Sequence, residues 1–175
     1  MSSVEQTFRE VFEQYADDLF RHCALRLSDR ERALDLTQES FLRAWEYVRK
    51  GKKIEQFRPF LYRILHNLIV DEYRKHKTYS LDAMLENEET ANAVESKLLR
   101  SGTDIEEEAS IRFDHDLVLQ AAGRLPEIYR TVVLMRFVDN LSPREIARCI
   151  QENEDTVSVR IHRGIGKLRA LLSSQ

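Results

Sequence analysis

Ser142-Pro143-Arg144-Glu145-Ile146-Ala147-Arg148-Cys149-Ile150, then Gln151-Glu152, then Asn153-Glu154-Asp155-Thr156-Val157-Ser158-Val159-Arg160-Ile161-His162-Arg163-Gly164: this stretch decides the fold. Ser142 and Glu145 form a capping box with Pro143 at the first helical position, so a helix begins there and carries Ile146, Ala147 and Ile150. Asn153 can cap a second helix, whose apolar positions Val157, Ile161, Gly164 and Leu168 follow an i, i+4, i+7, i+11 pattern. A short helix, a tight turn and a second helix have helix-turn-helix spacing.

With Val157 pointing inward, the opposite arc of that second helix holds Asp155, Val159, His162, Arg163 and Gly166, flanked by Thr156 and Ser158. Val159 is the odd member. An ordinary solvated face prefers Glu or Lys, whereas a face meeting the DNA major groove can set a branched apolar group against thymine methyls and an Arg on a guanine edge. Arg160, nearer the core flank, is better placed for phosphate. The competing reading is a lone exposed valine on a solvated helix.

Outward from this stretch, nearly everything else also reads as helix. Phe8, Val11, Phe12, Tyr15, Leu19 and Phe20 recur at helical spacing, and no stretch alternates like a half-buried strand. A helix starting near Asp29 carries Leu34, Phe41, Ala44, Trp45 and Val48 on one stripe and ends at Arg49-Lys50-Gly51, cations and a glycine suited to its C-terminus. Another runs from Pro59 to Lys75 and buries Leu61, Ile64, Leu65, Leu68 and Ile69. Two more are expected from Phe113 to Gly123 and from Pro126 to Val138.

The charge is segregated, although the chain of 175 residues has a net charge of only −3. Residues 1–75 hold 14 Lys/Arg and 13 Asp/Glu, residues 76–110 hold 3 and 9, and residues 111–175 hold 10 and 8. The acidic middle lacks sustained apolar periodicity and reads as a linker with at most transient helix. The expected fold is therefore all-α, with two small helical domains, 1–75 and 111–175, joined by an acidic flexible linker, 76–110.

Composition removes other classes. With 33% charged residues, 5 Gly and 3 Pro the chain is neither disordered nor fibrous. No run of 18 apolar residues and no signal peptide is present, so a cytoplasmic protein without membrane insertion is expected. Cys23 and Cys149 read as buried reduced thiols, and no metal site or cofactor is expected. The five histidines are scattered without a nucleophile–base pair, so no catalytic residue and no enzyme is expected.

Two further surfaces attract notice. On the second helix the arc opposite Leu34 and Trp45 contains Leu36 among Asp35, Glu39, Arg43 and Glu46. A leucine framed by charges suggests a protein partner, with an apolar anchor and a register set by the carboxylates; a solvated acidic face with one stray leucine is the alternative. The third helix turns Arg63, Asn67, Val70 and Arg74 outward, preceded by the loop Lys50-Gly51-Lys52-Lys53-Ile54-Glu55-Gln56-Phe57-Arg58. Cations interleaved with aromatics suit single-stranded nucleic acid, where Lys and Arg meet phosphates and unstacked bases meet rings and amides. A basic helix end on an ordinary bundle is the alternative there.

These residues add up to a family resemblance. Asp35-Leu36-Thr37-Gln38-Glu39-Ser40-Phe41 with Ala44-Trp45, then Phe60-Leu61-Tyr62-Arg63-Ile64-Leu65-His66-Asn67-Leu68, and finally Leu125-Pro126 with Thr156-Val157 and Arg160-Ile161-His162-Arg163-Gly164, resemble motifs of the extracytoplasmic-function (ECF, group IV) sigma factors of bacterial RNA polymerase. The resemblance covers about residues 5–75 and 112–172. It implies that the Asp35-to-Trp45 helix, through Asp35, Leu36, Gln38, Glu39 and Arg43, docks on the clamp helices of the β′ subunit of core RNA polymerase. It implies that Lys52, Lys53, Phe57, Arg58, Phe60, Arg63, Asn67 and Arg74 open the minus-ten element of promoter DNA and hold a flipped base. Thr156, Ser158, Val159, Arg160, His162 and Arg163 would read the minus-thirty-five element, the β flap would be a second polymerase contact, and an anti-sigma factor is implied as a further partner.

The sequence departs from the family where Phe60 replaces a frequent Trp, Asp155 a frequent Gly, and Ser158-Val159 a basic-then-Ser pair, which leaves the promoter sequence open. A stand-alone helix-turn-helix regulator, with an N-terminal helical sensor or dimerisation domain, is the alternative function. The first domain discriminates the two, because a regulator has no need of both a partner helix and a nucleic-acid loop.

Overall fold

The computed structural model describes residues 3–27, 29–83 and 117–173, all helix and connecting turns among them. The chain divides into two compact units, with α1 (Ser3–Ala24), α2 (Arg30–Arg49) and α3 (Phe57–Ala83) in the first. The second holds α4 (residues 117–123), α5 (Glu127–Phe137), α7 (Glu154–Ser173) and the greater part of α6 (Pro143–Ile150).

In the first unit each helix packs on the other two. Asp29 caps α2, its carboxylate accepting from the Arg32 amide at 3.1 Å. Gly51, at φ +75°, ends the helix with its amide on the Val48 carbonyl. The buried stripe of α2 is Ala33, Leu36, Thr37, Ser40, Phe41 and Ala44. Small residues let the three helices approach closely, and the two hydroxyls bond backward to their own helix, Thr37 to the Ala33 carbonyl and Ser40 to the Thr37 carbonyl, both at 2.7 Å.

That stripe corrects the sequence reading. Leu36, expected outward, is 4% exposed, whereas Leu34, expected inward, is 48% exposed. The buried stripe is drawn mostly by small and hydroxyl-bearing residues that carry little hydropathy signal, so the large apolar residues of α2 point to the wrong rotation.

α3 buries Leu61, Tyr62, Leu65, Leu68 and Ile69, while Ile64 is only half-buried. It begins earlier and runs further than expected. Pro59 falls within the first turn, where the backbone donors have no helical partner and a missing N–H costs nothing. Beyond Lys75 neither Pro nor Gly interrupts the chain, and the helix continues to Ala83. The rest of the acidic segment, from 84 to 110, lies outside the described residues, as does the start of the helix expected from Phe113.

α2 and α3 are also tied by charge. Arg32 donates to both oxygens of Glu72, at 2.7 and 2.8 Å, and Glu72 is 7% exposed. A bidentate fork of this kind fixes the rotation of one helix against the other.

In the second unit Pro126 precedes α5, and Arg130 on that helix donates back to the carbonyls of Gly123 and Leu125, closing the α4–α5 turn. α5 packs along α7; α5 buries Val132, Val133, Leu134 and Met135, and α7 buries Val157 and Gly164, the latter beside Val133 and Tyr129. At Gly164 the two helices approach too closely for a side chain: a Cβ there would stand 2.6 Å from Val133 Cγ2. The expected capping box is present, Ser142 Oγ accepting from the Glu145 amide and Glu145 accepting from the Ser142 amide at 2.8 Å.

Candidate nucleic-acid interface

α6 ends on Gln151, which takes the left-handed conformation at φ 57° and ψ 45°. Asn153 then caps α7, its Oδ1 accepting from the Thr156 amide at 2.6 Å. This turn sets the rotation of α7: Val157 is fully buried and Gly164 buried, and the exposed arc consists of Asp155, Ser158, Val159, His162, Arg163 and Gly166. Val159 is 48% exposed, as read from the pattern. Thr156 and Arg160 flank the arc, half-buried. Arg160 is engaged within the protein, its Nη2 lying 2.7 Å from Glu152 Oε1 in the turn. Glu154 and Asp155 in the first turn of α7 complement the helix dipole.

In the first unit the loop and the start of α3 gather a second set. Lys52 and Lys53 are exposed, Asn67 is exposed one face along, and Arg58, Phe60 and Arg63 are half-buried. Phe57 belongs to an aromatic cluster, 6.3 Å from Phe8 between ring centroids, with Phe8 also 5.1 Å from Trp45. Phe60 lies 4.9 Å from Tyr47, Lys52 Nζ sits 5.0 Å from the Tyr47 ring, and Arg63 lies 5.2 Å from the Phe60 ring. Two rings bracketed by two cations form a surface on which bases and phosphates can both be met. Tyr47 was missed in the sequence because its partner Phe60 is reached only across the turn between α2 and α3; an aromatic at the end of α2 beside a lysine-rich loop was the available signal.

A third set lies between α2 and α3, in a groove of about 630 Å³. Leu36 and Leu68 form its floor. Asp35, Glu39 and Arg43 line one rim and Asp71, Arg74 and Lys75 the other. Arg43 pairs with Glu39 at 2.8 Å. Arg74, grouped from the sequence with the nucleic-acid loop, is thus brought beside the charged face of α2 instead. Gln38 is exposed but does not line the groove.

Buried ionisable groups serve the core of the first unit. Burial pushes the Cys23 thiol up to about 12, so it stays protonated at neutral pH. Burial, with the charges of Arg26 and His22 nearby, lowers His66 to about 4. Cys23 and Cys149 are both free and buried, and among the described residues no group of His, Cys, Asp and Glu is arranged to hold a metal ion.

Residues 11–79 match the family Sigma-70 region 2 and residues 115–168 match Sigma-70, region 4. The chain is 32% identical over 170 residues to the ECF RNA polymerase sigma factor SigW of Bacillus subtilis (strain 168), covering 96% of this chain and 90% of that protein. It is 31% identical to the ECF RNA polymerase sigma factor BldN of Streptomyces coelicolor, of which it spans 60%. In fold it resembles the sigma factor RpoE of Bartonella quintana, solved in complex with the anti-sigma factor NepR, with a TM-score of 0.73, 17% identity and coverage of 96% of this chain and 98% of that one. The chain therefore belongs to the ECF RNA polymerase sigma factors. It acts with core RNA polymerase on promoter DNA to direct transcription initiation, and the stand-alone regulator is not favoured. Among the described residues no helix is long and apolar enough to cross a membrane.

Proposed function

We propose that the three surfaces divide promoter initiation among them. The groove between α2 and α3, with Asp35, Glu39 and Arg43 on its rim, Leu36 in its floor and Gln38 beside it, docks on the β′ clamp helices. Lys52, Lys53, Phe57, Arg58, Phe60, Arg63 and Asn67, together with Tyr47, open the minus-ten element, while Arg74 belongs to the groove rim. Thr156, Ser158, Val159, Arg160, His162 and Arg163 read the minus-thirty-five element, and the second unit meets the β flap. The work divides as residues 1–75 for docking and opening, 76–110 as tether and 111–175 for minus-thirty-five reading. The protein works in the bacterial cytoplasm, catalyses no reaction of its own, and is held inactive by an anti-sigma factor, a reading supported by neighbours such as RpoE with NepR and CnrH with the cytosolic domain of CnrY.

The observation that carries the reading is the exposed arc of α7, where Val159 and Arg163 stand opposite the buried Val157 and Gly164. Arg163→Ala should cost about 1–3 kcal/mol in binding to the minus-thirty-five element and relax preference at one guanine, whereas Val159→Ser should shift preference at a thymine. Selection from randomised minus-thirty-five sequences by the holoenzyme tests this. An Arg163→Ala variant that selects the parent motif with the parent affinity would show that α7 does not lie in the groove.

A further inference from the structure

The recognition surface carries an ion pair whose place is unexpected on a face built for phosphate. Arg160, on the flank of α7, donates to Glu152 in the preceding turn at 2.7 Å, with 27% and 37% of the two side chains exposed. As a contribution to folding, a partly exposed pair of this kind is weak. Its effect on charge is larger. Glu154 and Asp155 complement the dipole of α7, but Glu152 lies outside the helix, and its carboxylate is turned on a cation that would otherwise face the DNA backbone.

We propose that Glu152 neutralises Arg160 within the protein, so that α7 approaches DNA with one fewer effective positive charge and relies correspondingly more on Val159 and Arg163 at base edges. Binding to duplex of any sequence draws its strength from phosphate contacts that release counterions. A cation already paired with a carboxylate releases none on binding. Glu152 is thus a positioning residue for selectivity: it lowers affinity for the backbone common to all DNA without touching a base. The proposal rests on the reading of α7 as the minus-thirty-five helix.

The test is holoenzyme binding to duplex DNA carrying the selected minus-thirty-five sequence, and to scrambled DNA, followed over a range of salt. Glu152→Gln keeps the shape and removes the charge. Its dependence of log affinity on log salt should steepen by about 0.9 on both duplexes, an extra loss of about threefold between about 50 and about 200 mM salt. The Glu152→Gln/Arg160→Ala double variant, which removes both charges of the pair, should return to the parent slope. An unchanged slope in Glu152→Gln, or a double variant that keeps the steeper slope, overturns the proposal. Arg163→Ala on the same duplexes separates the two levels: lost preference for the selected sequence together with an unchanged Glu152→Gln slope refutes the neutralisation alone, whereas preference retained in Arg163→Ala refutes the placement of α7 and the proposal with it.

Discussion

Among single residues, Gly164 and His66 each carry a constraint that can be tested. A Cβ at position 164 would stand 2.6 Å from Val133 Cγ2, and valine cannot swing this methyl aside without leaving its preferred rotamer. Overpacking costs about 1–3 kcal/mol and outweighs the roughly 1 kcal/mol of helix propensity that alanine offers over glycine. Gly164→Ala should therefore lower stability in urea denaturation, and Val133→Ala in the same chain should recover part of the loss; additive losses would place the strain elsewhere. His66 carries a pH prediction. Its pKa in the folded chain is lowered to about 4 by burial and by Arg26 and His22, against 6.5 unfolded. The unfolded chain thus binds the proton first on acidification. The stability contributed by neutral His66 is complete above about pH 6.5 and is lost as pH falls from there to about 4, a difference of about 2–3 kcal/mol. Thermal melts of the parent should fall over that window more steeply than those of His66→Gln; parallel curves would exclude this histidine as the cause. Of these two residues the sequence showed only one. Gly164 lies on an apolar stripe and was expected to be buried, whereas the lowered pKa of His66 comes from its tertiary surroundings, including Arg26 and His22, more than thirty positions away in the chain.

At the scale of elements, α2 shows what periodicity can and cannot orient. The helix itself was legible from Asp29 at one end and Gly51 at the other, because caps and terminators are local chemistry. Its rotation was not, because Ala33, Thr37, Ser40 and Ala44 draw the buried stripe and none is strongly apolar. On α3, where larger apolar residues draw the stripe, Leu61, Leu65, Leu68 and Ile69 are buried as expected, although Ile64 is only half-buried and Tyr62, expected at the flank of the outward face, is fully buried. The rotation changes what a substitution measures. Leu36→Ala removes a side chain only 4% exposed and should cost about 2–4 kcal/mol of stability, so weakened polymerase binding in that variant would report unfolding as much as docking. Asp35→Lys with Glu39→Lys changes the rim of the groove and leaves its floor in place. This pair should retain the parent melting temperature and bind core polymerase more weakly, as read by gel filtration and titration. Parent-like affinity in the folded double variant would remove the groove from the docking surface.

For the whole molecule, the proposed division of work predicts that assembly, recognition and opening fail separately. The proposed docking groove and the basic aromatic surface both lie in the first unit but are built from different residues, with Leu36 and Leu68 flooring one and Tyr47 and Phe60 building the other. Substitutions at the second surface should therefore spare assembly. Asn67 and both lysines of the loop are exposed, so Asn67→Ala and Lys52→Ala/Lys53→Ala should leave the fold and the affinity for core polymerase at parent values. Their proposed ligands are unpaired bases and the phosphates between them, which exist only once the strands part. Tyr47→Leu extends the test, because it removes a ring tilted against Phe60 at 4.9 Å and the seat of Lys52 while keeping an apolar side chain at the end of α2. Loss of one base–aromatic stack is worth about 1–3 kcal/mol, enough to reduce the open fraction of a promoter about tenfold. Permanganate reactivity of thymines near the start site should fall in all three variants while binding to the closed duplex is retained. Equal reactivity in parent and variants would move strand opening to a different surface of the first unit, and reduced duplex binding in step with reactivity would assign these residues to recognition rather than to opening.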